Sequence, residues 1–240
     1  MMQKEALTDF LLRLLFPERC IFCERVLPFG EKWICEACSL QEKYLTGDIC
    51  MKCGKQLLEE EEEYCPDCKR IPHKFRRGIA LYQYPLVAPA LYRFKYGGKK
   101  KYASFFGEEI SKYMEEILRD WKVQGIVPVP MYRKKQRKRG YNQAQCLARE
   151  IGRRLCLPVY DGLVIRSRNT VPMKNLNPEQ RRNNLKNAFH IVPIGVKLDN
   201  IVIVDDIYTT GSTVDSIAEL LIAYGVKNVY VITLAIGNGM

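Results

Sequence analysis

Four C-x-x-C pairs within the first 70 residues constrain the fold of this 240-residue chain more than any other feature. Eleven residues separate each pair from the next. A C-x-x-C turn points two thiolates at one tetrahedral ion, and two such turns complete a Cys₄ zinc site. The spacing therefore predicts two zinc ions. Their eight predicted ligands are Cys20, Cys23, Cys35, Cys38, Cys50, Cys53, Cys65 and Cys68.

The spacing leaves open which pairs share an ion. Consecutive pairs would form two zinc ribbons in tandem, but an interleaved pairing has the same spacing. Disulfides are the alternative to zinc, and they need an oxidising compartment for which the sequence offers no export signal. Because closed Cys₄ sites leave no position for water, we interpret both ions as structural. His73 follows complete ligand sets, so we expect it at the surface.

Charge divides the chain into two modules. The formal charge of +11 is the sum of −4 over residues 1–70 and +15 over residues 71–240. We therefore predict an N-terminal helix and double zinc ribbon over residues 1–72, and a second domain over residues 73–240. No apolar run reaches the roughly 18–20 residues of a membrane span, and we expect a cytoplasmic protein. The N-terminal helix is predicted from apolar residues at helical spacing, Leu7, Phe10, Leu11, Leu14 and Leu15.

Strands alternate with helices in the second module, which is typical of an α/β fold with a parallel sheet and helices on both faces. The predicted strands are residues 78–84, 125–130, 163–166, 200–204 and 229–235. The predicted helices are residues 85–96, 103–121, 142–155 and 213–224. Residues 168–187 are polar and predicted to form a loop. Cys146 and Cys156 are expected to be small buried residues of the core.

The most informative stretch is IVIVDDIYTTGST, residues 201–213. An apolar strand delivers Asp205 and Asp206, and a loop of hydroxyls with one glycine leads into a helix. This arrangement aims free backbone N–H groups and a helix dipole at one point, where a phosphate binds. No lysine follows the glycine, so a monophosphate is favoured over a nucleoside triphosphate. The acids would hold ribose hydroxyls or Mg²⁺. The predicted phosphate-binding residues are Thr209, Thr210, Gly211, Ser212 and Thr213.

This stretch resembles the phosphoribosyl pyrophosphate (PRPP) signature of type I phosphoribosyltransferases. Together with FPERC, the tandem C-x-x-C pairs, VPVP, RGYNQA and NPEQRRNNLKNAF, in that order, it is similar to the ComF competence family over nearly the whole chain. The resemblance implies a double zinc ribbon joined to a phosphoribosyltransferase-like domain. It also implies uptake of single-stranded DNA during natural transformation, with other competence proteins, such as a DNA-uptake helicase, as partners.

The resemblance assigns roles to residues of this chain. Asp205 and Asp206 would hold the ribose hydroxyls of PRPP with Mg²⁺, and they would be the catalytic residues of any transfer. Residues 209–213 would hold its 5′-phosphate, and Arg133, which follows VPVP, would bind its pyrophosphate. The polar stretch after residue 165 occupies the place of a mobile loop over the reacting centre. The cations of that loop are Arg166, Arg168, Lys174, Arg181 and Arg182.

Cations interleaved with aromatic residues predict a surface for single-stranded DNA, because cations neutralise phosphates and aromatic rings stack on bases. Some of these charges would alternatively serve PRPP itself. The predicted DNA-contacting residues are Arg93, Lys95, Lys99, Lys100 and Lys101 in one stretch, and Arg137, Lys138 and Arg139 in another. The interleaved aromatic residues are Tyr92, Phe94, Tyr96, Tyr102 and Tyr141.

These features predict a competence protein that binds PRPP with Mg²⁺ and single-stranded DNA, with little or no turnover. The alternative is an active phosphoribosyltransferase that transfers phosphoribose to a nucleobase or amine. Displacement of pyrophosphate at the sugar C1 carbon needs positioning and cationic stabilisation rather than a nucleophilic side chain. However, no segment obviously reads a nucleobase. A third hypothesis is a zinc-ribbon adaptor with a vestigial sugar-phosphate site.

Overall fold

The computed structural model describes residues 15–39, 44–45, 47–57, 62–168 and 188–237. The chain forms two compact units, Met1–Lys43 and Tyr44–Met240. The predicted N-terminal helix lies outside the described residues, except for its last residue, Leu15. Three of the predicted loop cations, Lys174, Arg181 and Arg182, also lie outside them.

The first unit is built around its own cysteine cluster. An antiparallel bridge joins Arg19 to Val26, and the short helix α1, Glu36–Ser39, follows Cys35. Leu27 is buried with the cysteines, and Phe22 and Ile34 pack against them. Few apolar side chains are buried among residues 15–39, so the cysteine cluster is a main part of the core that these residues form.

A parallel sheet is the centre of the second unit. Its four strands are β1 (Arg77–Gln83), β2 (Gly125–Pro128), β5 (Asn200–Tyr208) and β6 (Asn228–Ile236), in the spatial order β1-β6-β5-β2. A separate antiparallel pair consists of β3 (Val164–Arg166) and β4 (Phe189–Ile191). The central strands β5 and β6 pair from Asn200 opposite Asn228 to Tyr208 opposite Ile236. Both are rich in buried, β-branched residues, as expected for parallel strands covered on both faces.

Helix α2 (Pro66–Arg70) precedes β1. The helices between the strands are α3 (Tyr84–Tyr96), α4 (Tyr102–Asp120), α5 (Arg133–Arg139), α6 (Gln143–Leu155) and α7 (Ser212–Ala223). Helix α6 begins after Asn142, whose side-chain oxygen accepts a hydrogen bond from the N–H of Ala144 (3.1 Å). Leu147 and Ile151 are fully buried, so this helix turns its apolar side toward the core.

The second cysteine cluster packs with the sheet. The N–H of Gly78 in β1 donates to the carbonyl of Lys52 (2.7 Å), between Cys50 and Cys53. Cys50, Cys53 and Cys65 belong to the same buried cluster as the apolar residues of β5 and β6. The division between compact units therefore falls between residues 43 and 44, whereas the predicted division of sequence modules falls between residues 72 and 73.

The structure differs from the sequence predictions in several places. Strand β5 extends to Tyr208, so the two acids lie within the strand rather than after it. Residues 133–139 form a helix that was not among the predicted elements. The expectation that Cys146 and Cys156 are buried is wrong, because Cys146 is only partly buried and Cys156 is exposed at the end of α6, with φ +53°.

Among the described residues, no helix combines the length and the apolar character that crossing a membrane requires.

Close packing of the second ribbon on β1 makes Gly54 sensitive to substitution. Gly54 has φ +76°, and a Cβ there would lie 2.8 Å from the carbonyl oxygen of Gly78 and 2.9 Å from the Cα of Ile79. We expect Gly54→Ala to lower the free energy of unfolding by about 2–4 kcal/mol, from backbone strain plus overlap. Gly98 also has a positive φ (+67°) but open space around it. The control Gly98→Ala should therefore cost only about 1–2 kcal/mol. Equal losses in urea unfolding would contradict this account of the packing.

Candidate functional site

The two acids lie side by side at the carboxyl end of β5. The N–H of Asp206 donates to Oδ1 of Asp205 (2.8 Å). Helix α3 places Lys95 Nζ 2.9 Å from Oδ1 of Asp206, and these two side chains are only 20% and 15% exposed. A largely buried ion pair is thus built onto one member of an acid pair.

Burial and the neighbouring Asp206 carboxylate raise the pKa of Asp205 to about 7, although Lys95 and Arg166 oppose this shift. Burial alone would lower the pKa of Lys95, but the Asp206 carboxylate raises it above its usual value. Burial lowers the pKa of Arg166 in β3, and the negative charge of Asp205 acts in the opposite direction. Two acids and two cations therefore offset one another at one end of the sheet.

The predicted phosphate loop follows directly. Residues 209–211 connect β5 to α7, and Gly211 is the N-cap of that helix with φ +76°. The hydroxyl oxygens of Thr210 and Ser212 lie 3.1 Å apart. Residues 208–214 line one pocket together with Asp205 and Ile207. Free N–H groups at the start of a 12-residue helix, beside hydroxyl donors, form an anion-binding cradle. The structure thus brings Asp205 and residues 209–213 together in one pocket, and Asp206 lies next to Asp205.

His73 lies behind this loop, and the expectation that it is a surface residue is wrong. Its side chain is 1% exposed, and its Nδ1 lies 2.7 Å from Oδ2 of Asp215 in the first turn of α7. Its ring stacks on Phe75, with centroids 5.0 Å apart. No sequence spacing pointed to this contact, because His73 and Asp215 are 142 residues apart in the chain.

A second positive region comes from α5. Burial lowers the pKa of Lys135, and the positive charges of Arg166 and Arg139 lower it further, so these three cations lie near one another. Lys135 and Arg139 share a helix face because they are four residues apart. Arg133, the predicted pyrophosphate ligand, is exposed at the first position of α5. Lys135 belongs to the same basic stretch as Arg133 but was not among the predicted ligands.

The predicted DNA surface is only partly exposed. Exposed cations are Lys99, Lys100, Lys101, Arg137 and Lys138. Tyr92 and Tyr96 are 65% and 63% exposed, with ring centroids 5.1 Å apart. The guanidinium of Arg139 lies over the Tyr96 ring (4.8 Å).

Four residues predicted for this surface lie elsewhere. Lys95 pairs with Asp206 and is therefore a member of the acid site. Phe94, Tyr102 and Tyr141 are buried and cannot stack on bases. Arg93, a further predicted DNA contact, is partly buried. Residues on one helix alternate between surface and core, which the linear run of cations and aromatics did not separate.

Each cysteine cluster joins consecutive C-x-x-C pairs. The sulfurs of Cys20, Cys23, Cys35 and Cys38 lie within 4.8 Å of one another, and so do those of Cys50, Cys53, Cys65 and Cys68. Four ligands at the usual Zn–S distance of about 2.3 Å have sulfurs about 3.8 Å apart. The Cys23–Cys35 and Cys53–Cys65 sulfur pairs are each separated by 3.6 Å. Both sets fit tetrahedral zinc, and the pairing is consecutive rather than interleaved.

Two family models match the chain. The double zinc ribbon domain matches residues 11–69, and the phosphoribosyl transferase domain matches residues 137–239. Together with the parallel sheet, these matches define the class: an α/β phosphoribosyltransferase-like fold with an N-terminal double zinc ribbon.

Relatives extend over most of the chain. Competence protein F of Haemophilus influenzae is 30% identical over 231 residues, which cover 92% of this chain and 97% of the relative. The DNA utilization protein YhgH of Escherichia coli K12 is 30% identical, covering 91% and 96%. Competence protein ComFC of Bacillus subtilis 168 is 28% identical, covering 86% and 89%. The chain belongs to the ComF competence family.

The raised pKa of Asp205 can be measured directly. In a titration of side-chain carboxyl carbons by ¹³C NMR, we expect one aspartate with a midpoint near pH 7. Because the positive charge of Lys95 favours the ionised form, Lys95→Met should raise this midpoint by about one unit or more. Lys227, which pairs with Asp199 at an exposed position, offers the control variant Lys227→Met, which should leave the midpoint unchanged. A midpoint near 4 in the wild-type protein would contradict the described burial.

Proposed function

We propose that this protein is a ComF-type competence protein that binds PRPP with Mg²⁺ and single-stranded DNA. The observation that carries the first half of the proposal is the acid pair, held by Lys95 next to the phosphate loop. A carboxylate pair accepts hydrogen bonds from the two vicinal hydroxyls of a ribose, and the adjoining loop accepts a monophosphate. A 5-phosphoribosyl group presents these features in that order.

The cations around the acids suit the other end of PRPP. Lys135, Arg139 and Arg166 would attract its pyrophosphate, and Arg133 at the start of α5 is a further candidate. Mg²⁺ would supply charge neutralisation between the diphosphate and the carboxylate oxygens, which are the ligands it prefers. Asp205, with its raised pKa, can carry a proton near neutral pH and so limits the repulsion within the acid pair.

Single-stranded DNA is the second proposed ligand. Exposed Tyr92 and Tyr96 offer stacking faces, and the exposed cations of residues 99–101 and 137–138 offer phosphate contacts. The relatives' names refer to competence and DNA utilization, which supports a role in DNA uptake. The thiolates of two zinc clusters persist in a reducing compartment, so we propose a cytoplasmic location.

Phosphoribosyl transfer is a second candidate function. The charge of Arg166 acts on Asp205, and Lys135 and Arg139 extend this positive region, which favours transfer because such cations would stabilise the charge that develops on a departing pyrophosphate. Asp205 and Asp206 would then orient the sugar for displacement at C1 and act as the catalytic residues. The acceptor would be a nucleobase or an amine.

Calorimetry with PRPP and Mg²⁺ tests the sugar-phosphate site. We expect saturable binding that Asp206→Asn weakens by about tenfold or more, since a charge-assisted interaction is lost. Asp161→Asn is the matched control, because Asp161 is paired with Arg149 on the surface of the same unit. An absence of binding to folded, zinc-loaded protein would contradict the proposal. Release of pyrophosphate that requires an added base or amine, above the rate with protein and PRPP alone, would establish transfer as well as binding.

Fluorescence anisotropy with a labelled thymidine oligonucleotide of about 20 residues tests the DNA surface. Affinity should fall steeply as salt rises from about 50 to 200 mM, because phosphate contacts release counterions. Replacing Tyr92 and Tyr96 together by Ala should weaken binding by about tenfold or more through lost stacking. As a control, Tyr64→Ala removes an exposed tyrosine that is not part of the predicted DNA surface, and it should leave the DNA affinity unchanged. Equal affinity of the double variant and the wild type would show that these rings are not the stacking platform.

A further inference from the structure

We propose that the second cysteine cluster positions the phosphate loop through His73. Residues 69–76 lead from this cluster to β1, and on the way they bind the first turn of α7 directly beneath Gly211. His73 acts here as a positioning residue, and zinc at the second site becomes a condition for an ordered loop. The proposal rests on the proposed function only in taking phosphate as the group that the loop binds.

The path begins at α2, whose residue Cys68 is a ligand of the second cluster. The ribbon also holds this helix, because Lys55 Nζ, in the segment that follows Cys53, donates to Oδ2 of Asp67 (2.6 Å). Ile71 is the C-cap of this helix, and its N–H donates to the carbonyl of Asp67 (2.8 Å). Only four residues lie between Cys68 and His73, so the position of the histidine follows that of the cluster.

Both carboxylate oxygens of Asp215 are bound by this segment. His73 Nδ1 donates to Oδ2 (2.7 Å), and the N–H of Lys74 donates to Oδ1 (2.8 Å). Asp215 lies in the first turn of α7, and its own N–H donates to the carbonyl of Gly211 (2.8 Å). Two hydrogen bonds to the Asp215 side chain thus attach this segment to the helical turn that follows the phosphate loop.

Gly211 rests directly on His73. A Cβ at Gly211 would lie 2.5 Å from Oη of Tyr208, and 2.8 Å and 3.0 Å from Cε1 and Nδ1 of His73. Tyr208 is buried, and its Oη lies 3.3 Å from Nε2 of His73. The loop backbone is therefore in contact with two rings that are themselves fixed by burial. A displaced His73 would leave the left-handed turn at Gly211 without its support.

The first half of this ribbon, around Cys50 and Cys53, is fixed to β1. The N–H of Gly78 donates a hydrogen bond to the carbonyl of Lys52, and Gly54 packs closely against the backbone of Gly78. Zinc joins the pair fixed in this way, Cys50 and Cys53, to Cys65 and Cys68, which lead to His73. Without zinc, no metal ion joins the four cysteine side chains, so the orientation of α2 is no longer fixed. The first cluster lies in the other compact unit and is the matched control.

Hydrogen–deuterium exchange of residues 205–215, measured without ligand, tests this link. We expect His73→Leu to retain two zinc ions per chain and a cooperative unfolding transition, while exchange in this segment becomes about tenfold faster or more. It should also weaken binding of ribose 5-phosphate, the probe for the loop. His73→Asn should restore most of the protection, because the Asn amide can replace the Nδ1 donor to Asp215. His190→Leu, at the other histidine and in an exposed position, should behave as wild type.

A second pair of variants tests the metal. Replacing Cys65 and Cys68 by Ser should release one zinc ion and accelerate exchange at residues 205–215, whereas replacing Cys20 and Cys23 by Ser should release one ion without that effect. Unchanged loop exchange in His73→Leu, or the same exchange in both cysteine variants, would overturn the proposal. Exchange is measured without ligand, so it tests this link independently of PRPP binding. If the wild-type protein does not bind PRPP but the His73→Leu loop still loses protection, the proposed function is refuted and this link stands.

Discussion

Two carboxylates side by side at the end of a buried strand repel each other, and the surrounding structure offsets that repulsion. Lys95 forms an ion pair with Asp206, Arg166 contributes its charge to Asp205, and the raised pKa of Asp205 shows that the balance is incomplete. Each cation comes from a different part of the chain, α3 or β3. The acid pair therefore depends on the whole sheet domain being folded, and an unpaired buried charge would cost several kcal/mol. Carboxylates with shifted pKa values cluster at functional sites, which makes this end of the sheet the candidate site.

The second ribbon is a structural part of the same domain. Its cysteines share the buried core with β5 and β6, and its last residues reach the first turn of α7. A small ribbon has too little apolar surface to fold alone, so its stability comes from zinc and from this contact with the sheet. The arrangement explains why Gly54 and Gly211, distant in sequence, both lie in contact with neighbouring groups where a side chain would not fit.

Local features were predictable from the sequence, and contacts between distant residues were not. The C-x-x-C spacing identified both cysteine clusters, and residues 205–213 identified the acids and the loop, because each site is built from one contiguous segment or a regular repeat. Lys95 was assigned to a DNA surface because its neighbours are cationic, yet α3 turns it toward Asp206. His73 contacts Asp215, which is 142 residues away in the sequence, and no periodic pattern in the sequence predicts a contact between residues so far apart. The helix of residues 133–139 is all polar, so it lacked the apolar pattern by which the other helices were predicted.

We propose that the acid pair and the loop form one site for a 5-phosphoribosyl group. A crystal structure from crystals grown with PRPP and Mg²⁺ would reveal where this group binds. We expect density for the 5′-phosphate at the N–H groups of residues 209–213 and for the ribose hydroxyls at Asp205 and Asp206. Density for PRPP at the exposed lysines 99–101 instead, or an empty loop at saturating PRPP, would contradict it.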